Sequence, residues 1–147
     1  MRSTIDLSTK AFAARVYPLA SVTCPFCEPS PQRIAFNGPV VRMIWDLYPV
    51  SSGHLLIVPR RHVARWSDAT PEEKAALLAE VERARTLAIA RDPTVDGFNI
   101  GWNDGVAAGQ TVMHLHVHVI PRRPGDVKDP RGGIRWVIPA KARYWSD

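Results

Sequence analysis

Three histidines alternate with aliphatic residues over residues 114–119. Side chains two residues apart in an extended strand share a face, so His114, His116 and His118 are predicted to form one row of imidazoles. The intervening leucine and valines form an apolar row behind it. A core strand gains nothing from three imidazoles, because valine packs as well with less desolvation cost. The pattern predicts a strand with a functional face, and a sheet around it.

The composition is that of a globular protein that binds anions. The 147 residues suit one domain, with 46% hydrophobic and 22% charged residues. The net charge of +5 favours partners such as nucleotides or nucleic acid without choosing between them. No apolar run approaches the ~20 residues needed to cross a membrane, and Met1–Lys10 lacks the apolar core of a signal peptide. We expect a cytoplasmic protein without a membrane partner.

Turn signals divide the chain into short apolar runs. Asn37-Gly38 is a hairpin signal, because both residues tolerate positive φ. The run after His54 is almost entirely apolar, which predicts a central strand. We predict five strands, at residues 33–36, 40–47, 54–58 and 97–102 and at the histidine segment.

One long helix is predicted after the third strand. Thr70 is a candidate N-cap, Pro71 suits the first helical position, and Glu73 completes a capping box. Apolar residues then recur at helical spacing to about Arg91. A short N-terminal helix over residues 11–16 and an extra strand over residues 134–138 are also predicted. The fold class is α+β, an antiparallel sheet with one long helix packed on it.

Two chemistries suit a row of three imidazoles. Three histidines with an open position can hold a catalytic zinc ion. Alternatively, one neutral imidazole can attack a phosphorus centre. A catalytic zinc site also requires an acidic group nearby, and no Asp or Glu lies close to the triad in sequence. Attack at phosphorus requires hydrogen-bond donors that bind phosphate, which Gln110, Thr111 and the backbone of residues 105–109 can supply.

The histidine row lies within a longer signature, with Gly109-Gln110 before it and Pro121-Arg122 after it. Together with a Gly-His…Pro segment at residues 53–59, this signature resembles the histidine-triad (HIT) family of nucleotide hydrolases and transferases. The resemblance covers about residues 24–122. It implies one HIT domain over residues 1–147, with a five-stranded HIT-like sheet and a C-terminal tail over residues 123–147.

The resemblance implies roles for individual residues. His116 would attack the α-phosphate of a substrate AMP-X and form a nucleotidyl-histidine intermediate. His118 would orient the site, and His54 and His114 would contact the phosphates. Dinucleoside polyphosphates and adenosine phosphoramidates are the family's substrate classes, so a purine nucleotide is the expected ligand. The residues that match nucleotide-binding positions of the family are Ile44, Asp46, Leu47, Asn103, Gln110 and Thr111.

Cys24 and Cys27 form the only cysteine pair, half of a tetrahedral zinc site. The missing ligands must be histidines, for which His62 and His114 are the candidates. Two free thiols and a redox pair are the alternatives. Some bacterial HIT proteins carry the same Cys-x-x-Cys and pair it with a Pro-x-x-His histidine and the first triad histidine. This resemblance implies a structural zinc ion on Cys24, Cys27, His62 and His114.

The resemblance also bears on partners and on alternative functions. The family is usually a homodimer whose sheets join across the interface, and we expect the same here. An aprataxin-like enzyme that removes AMP from DNA ends is one alternative. Such enzymes carry an additional nucleic-acid-binding element that this sequence lacks, so nucleic acid is not an expected partner. A non-catalytic nucleotide-binding dimer is the other alternative, against which the intact His116 argues.

Overall fold

The computed structural model describes residues 23–146, which contain a five-stranded antiparallel sheet. The spatial order of the strands is β1-β2-β3-β5-β4, so β3 is central, as its apolar run predicts, and all of its residues are buried. No helix in this described part has the length and hydropathy that crossing a membrane requires. The strands are β1 (Ile34–Asn37), β2 (Val41–Trp45), β3 (Leu55–Pro59), β4 (Gly97–Gly101) and β5 (Val117–Arg122).

The predicted long helix is confirmed as two consecutive segments, α1 (Pro71–Ala79) and α2 (Val81–Arg91). The predicted capping box closes its N-terminus: Glu73 N–H donates to Thr70 Oγ1 at 3.1 Å, and Thr70 N–H donates to Glu73 Oε2 at 2.9 Å. Glu80 interrupts the helix with ψ near −4°, although its backbone remains right-handed. The interruption is small, and the apolar stripe continues through it.

The helices cover one face of the sheet and leave the site on the other. Alternation along β3 divides its side chains between the two faces. The core beneath the helices includes Met43, Leu55, Ile57, Leu77, Ala84, Val117 and Val119. The opposite face carries a smaller cluster of Phe26, Ile44, Leu56 and Val58, which packs beneath the histidines.

The histidine segment joins the sheet later than predicted. β5 begins at Val117, and the chain bends at residues 112–114 before it. Leu115 N–H donates to Val63 O at 2.7 Å, a contact with the loop after β3. This long-range hydrogen bond replaces strand pairing there. Of the three triad histidines, only His118 lies within the strand.

The hairpin between β1 and β2 forms at the predicted place with a different turn. Asn37 pairs with Arg42, and three residues, 38–40, connect the strands. Gly38 does not adopt a positive φ. A Cβ there would lie 2.8 Å from Phe36 Cε1 and 2.9 Å from Val41 O. Gly38 is therefore required for close packing of the turn.

The predicted strand over residues 134–138 is wrong. Residues Gly133–Val137 form a 3₁₀ helix, followed by the short helix α3 (Pro139–Ala142). Gly132 has φ 89°, and Arg135 N–H donates back to its carbonyl at 2.8 Å. Local hydrogen bonds of this kind satisfy the backbone without a partner strand. The predicted N-terminal helix over residues 11–16 lies outside the described residues.

Candidate active site and metal centre

The loop before the triad is held by Gln110. Its Oε1 accepts a hydrogen bond from Gly105 N–H at 2.8 Å, and its Nε2 donates to Ala64 O at 2.7 Å and to Val112 O at 3.1 Å. The side chain is 2% exposed. Both amide hydrogens are thus engaged with backbone carbonyls. Gln110 shapes the loop, and its direct contact with phosphate stays a prediction.

The other predicted nucleotide contacts surround this loop and the end of β2. Asn103 is half-buried beside the loop, with Nδ2 4.0 Å from where a Cβ would stand at Gly109. Thr111 is exposed, as is Leu47. Ile44 is fully buried in the cluster beneath the site. Leu47 and Thr111 thus lie at the surface, where a ligand can reach them, while Ile44 is part of the floor.

The triad rings are neighbours although the segment is not a regular strand. The ring centroids of His116 and His118 are 4.9 Å apart. Phe26 contacts His116 edge to face, with centroids 4.9 Å apart, and lies 6.0 Å from His114. Sequence reasoning assigned no role to Phe26. The sequence did contain a signal for this contact, because Phe26 lies between two cysteines that were predicted to lie beside His114.

His116 is held in one tautomer. Its Nδ1 lies 2.7 Å from the carbonyl oxygen of His114. A carbonyl only accepts, so Nδ1 carries the proton and Nε2 keeps its lone pair. The ring is 6% exposed, and burial lowers its pKa below the ordinary 6.5. A buried neutral imidazole with an unprotonated Nε2 is the form that a nucleophile requires.

Asp46, His54 and His118 form a second chain of polar groups. His54 Nδ1 lies 3.3 Å from Asp46 Oδ2, and His54 Nε2 lies 3.0 Å from His118 Nδ1. His54 Nδ1 faces two groups with opposite requirements, because the Asp46 carboxylate only accepts a hydrogen bond, whereas the backbone N–H of Val50, 3.4 Å away, donates to Nδ1. The hydrogen bond between His54 Nε2 and His118 Nδ1 places one proton between these two rings. Asp46 was predicted to bind a ribose, and its contact with His54 adds a role in orienting that ring.

Burial keeps the two histidines of this second chain neutral. Burial and the neighbouring imidazoles of His116 and His54 lower the pKa of His118 to about 4. Burial also lowers the pKa of His54, which the Asp46 carboxylate opposes. At neutral pH the imidazoles of His54, His116 and His118 are therefore uncharged.

The low pKa of His118 predicts a loss of stability in acid. In the unfolded chain this imidazole takes up a proton near its ordinary pKa of 6.5, whereas in the fold it stays neutral to about 4. The unfolded state binds more protons between these limits, so the free energy of unfolding decreases as pH falls through this window. Melting temperatures measured by circular dichroism should fall less steeply there for His118→Asn. Parallel curves for wild type and variant would contradict this.

The two cysteines meet two histidines behind the triad. His114 Nδ1 lies 3.4 Å from Cys24 Sγ and 3.5 Å from Cys27 Sγ, and His62 Nδ1 lies 3.2 Å from Cys27 Sγ. All four ligand atoms lie within 4.8 Å of one another. Bonds of ~2.3 Å to sulfur and ~2.0 Å to nitrogen in a tetrahedral zinc site separate neighbouring ligand atoms by about 3.5 Å. The predicted ligands are thus together, with spacings that fit one tetrahedral ion.

His114 is oriented toward this cluster. Its Nε2 lies 2.8 Å from Pro59 O and donates to it, which leaves Nδ1 unprotonated and facing the sulfurs. Burial and the adjacent Cys24 raise the pKa of the Cys27 thiol to about 11. Both ring nitrogens of His114 thus contact other groups, Nε2 the carbonyl of Pro59 and Nδ1 the two sulfurs, and neither contacts the Nε2 atom of His116. Its visible link to the active site is its carbonyl, which orients His116.

This sheet, with its triad beside a Cys/His cluster, is a histidine-triad architecture, and residues 28–125 match the HIT domain family. The match covers more than half of the chain. The chain belongs to the HIT family, as the sequence signature predicted.

Two curated relatives bear names of enzymes. The chain is 42% identical over 84 residues to the asymmetrical bis(5'-nucleosyl)-tetraphosphatase of Schizosaccharomyces pombe. This alignment covers 57% of this chain and 46% of the relative. It is 41% identical over 95 residues to the AP-4-A phosphorylase of Mycobacterium tuberculosis. This alignment covers 63% of this chain and 48% of the relative. The chain thus spans about half the length of these relatives.

A solved structure of a zinc-bound histidine triad family protein from Mycobacterium smegmatis is also similar. It superposes with a TM-score of 0.65 at 34% sequence identity, and covers 82% of this chain and 94% of that one. The likeness therefore extends over nearly the whole of the other chain.

Proposed function

We propose that this protein is a nucleotide hydrolase or nucleotidyl transferase that cleaves AMP-X substrates at the α-phosphate. The observation that carries the proposal is the 2.7 Å contact between His116 Nδ1 and His114 O, which leaves Nε2 as a neutral nucleophile. The tetraphosphatase and phosphorylase relatives support the substrate class, since dinucleoside tetraphosphates have the form AMP-X.

The reaction proceeds in two displacements. His116 Nε2 attacks the α-phosphorus, the bond from phosphorus to X breaks, and X departs with the bonding electron pair. When X is an amine, it also takes up a proton from solvent as it leaves. The imidazolium of the nucleotidyl-histidine keeps its Nδ1–H on the His114 carbonyl, whose dipole stabilises the new positive charge. Water or another acceptor then attacks phosphorus. The P–N bond breaks, its electrons return to Nε2, and the acceptor's proton passes to solvent.

The nucleotide would bind across the triad. Asp46 is assigned to the ribose hydroxyls, and Ile44 and Leu47 to the base. Asn103 and Thr111 are assigned to the phosphates, together with the loop that Gln110 holds. Nucleotides are polyanions, and the net charge of +5 favours their approach.

Asp46→Ala is expected to raise KM for ribonucleotide substrates by roughly 10- to 100-fold, since a charge-assisted hydrogen bond contributes ~1.5–3 kcal/mol. Substrates with 2′-deoxyribose should already be poor for the wild type. Because Asp46 also contacts His54, kcat is measured alongside KM. Glu72→Ala, a change at an exposed carboxylate in the first turn of α1, is the matched control. Equal kinetics on ribo and deoxy substrates would show that Asp46 does not recognise the ribose.

We further propose a structural zinc ion on Cys24, Cys27, His62 and His114. The spacing of the four ligand atoms and the His114 tautomer support it, as does the zinc-bound relative. Bound zinc would join the segments that carry these residues, and with four protein ligands it would have no open position for catalysis.

We also propose a homodimer that joins sheets through β4. Within residues 23–146 this strand is at an edge of the sheet, and no other strand pairs with its outer side. Ile100 and Trp102, each 36% exposed, add apolar surface along that edge. Sedimentation equilibrium should give twice the chain mass, and a monomer at micromolar concentration would contradict the interface.

A panel of AMP conjugates tests the catalytic proposal. Purified protein is incubated with diadenosine tetraphosphate, adenosine phosphoramidate and 5′-adenylated DNA, and AMP release is followed by chromatography. Release from either of the first two supports the proposal. Release from adenylated DNA alone would identify the aprataxin-like alternative, and binding without any release would identify a non-catalytic scaffold.

A further inference from the structure

Arg42 is a half-buried cation on the face of the sheet that carries the site. It lies on β2 two residues before Ile44 and opposes Val58 of β3, and both of these side chains belong to the apolar cluster beneath the histidines. No step of the proposed reaction uses Arg42. Because a cation at such a position costs desolvation free energy, its neighbours indicate what it does.

The neighbour of Arg42 is the turn that carries the two cysteines. Arg42 Nη1 donates to Cys27 O at 3.1 Å. Within the turn, Cys27 N–H donates to Cys24 O at 3.1 Å, and Phe26 packs in the apolar cluster beneath the histidines. Arg42 therefore attaches the cysteine turn to β2 through a polar contact, as Phe26 attaches it to the sheet through an apolar one.

The guanidinium of Arg42 has an unused donor and no carboxylate partner. Its Nε atom is buried and has no hydrogen-bond partner among residues 23–146. The charged or titratable groups of this described part that act on Arg42 are Arg60, which repels it, and Cys27. A buried cation without a counter-charge is unfavourable. Of these two neighbours, only the cysteine can become negative.

A metal ion in the Cys/His cluster would create that negative charge. Zinc binds cysteine as the thiolate, so a loaded site contains two anionic sulfurs. A cationic donor beside a thiolate stabilises it, and groups that contact metal ligands from outside commonly strengthen metal binding. Arg60 is directed elsewhere, because its Nη1 donates to Asn37 Oδ1 at 2.7 Å.

We propose that Arg42 is a positioning residue of the zinc centre, which holds the cysteine turn on β2 and compensates the charge of the thiolates. The inference rests on the proposed zinc ion and extends the centre beyond its four ligands. Arg42 does not bind the ion and acts through Cys27. Its loss should therefore weaken zinc binding while all four ligands remain.

Zinc affinity is measured on purified zinc-loaded protein by competition with a chromophoric chelator. Arg42→Met removes the charge and the donors at similar volume, and should lower the affinity by roughly 10- to 100-fold, as changes to groups around metal ligands do. Arg42→Lys keeps the charge and should lose less. Arg33→Met is the matched control, because half-buried Arg33 also donates to a backbone carbonyl, from Nε to Trp45 O at 3.0 Å. It should leave zinc affinity unchanged.

Two further readouts separate this role from a general contribution to folding. Arg42→Met should lose more thermal stability in the zinc-loaded protein than in the metal-free protein, because weaker binding stabilises the native state less. In cobalt-loaded protein, its sulfur-to-metal charge-transfer band should move to longer wavelength, since thiolates without a neighbouring cation are easier to oxidise.

Arg42→Gln gives the same comparison if Arg42→Met does not fold, because glutamine keeps a donor but not the charge. Unchanged zinc affinity in the folded variant, or an equal loss in Arg33→Met, would overturn the proposal. Equal losses of stability with and without metal would also overturn it, since Arg42 would then only hold the fold. A wild type that binds no zinc would refute the metal centre together with this role, and would leave the proposed cleavage of AMP-X intact.

Discussion

His116→Asn should fold normally and lose turnover of a good AMP-X substrate by about 10³-fold or more, since covalent catalysis disappears while binding contacts remain. Asparagine can still donate from its amide to the His114 carbonyl that the Nδ1 atom of His116 faces at 2.7 Å. The loop held by Gln110 does not depend on the imidazole. The loss should therefore appear in kcat.

Two measurements separate lost chemistry from lost structure in this variant. Isothermal titration should give an AMP affinity close to that of the wild type, and circular dichroism should give a similar melting curve. Leu78→Trp, at a 53% exposed position on α1, is a surface control for handling and assay. Near wild-type turnover by His116→Asn would refute the assignment of the nucleophile.

Cys24→Ser should lower the zinc content from about one ion per chain and reduce the melting temperature by about 10 °C, given that a lost structural metal costs several kcal/mol. The ligands come from residues 24–27, from His62 and from His114, which are far apart in sequence. An ion that joins them restricts the unfolded chain over long loops. At low temperature kcat should fall much less than stability, because the site has no open coordination position.

The zinc prediction has an internal replicate and a matched control. His62→Ala should reproduce the loss of zinc and of stability, because it removes another ligand of the same ion. Ser30→Ala, an exposed change in the same N-terminal segment, should change neither. Elemental analysis and thermal melts decide the matter. Unchanged zinc content in Cys24→Ser, or equal stability after metal removal, would show that the cluster holds no structural ion.

Local signals in the sequence predicted most of the fold. The capping box of Thr70 and Glu73 placed the helix start, and the apolar run after His54 identified the central strand. The start of β5 could not be read in the same way. Alternation favours a strand through the whole triad, yet the hydrogen bond from Leu115 to Val63 depends on the fold of a distant loop. The C-terminal error had a local cause, the turn at Gly132 and Gly133.

The sequence predicted which residues come together in the site better than it predicted how they contact one another. Cys-x-x-Cys and the family signature named four ligands that the structure brings together. Their chemical roles stay predictions. The engagement of Gln110 with backbone carbonyls could not be foreseen, because it depends on where Ala64 lies. The contacts of Phe26 with His116 and of Arg42 with Cys27 likewise arise from strand order and loop packing, which spacing along the chain does not encode.

The most direct test of the account is the capture of the covalent intermediate. Protein is mixed with excess diadenosine tetraphosphate, quenched in alkali, where a P–N bond of this kind persists, and digested for peptide mass spectrometry. We expect one adenylyl group on His116 in the wild type and none on the corresponding peptide of His116→Asn. An adenylyl group on a different residue of the active wild type, or inversion of configuration at a chiral α-phosphorus during turnover, would contradict transfer through His116.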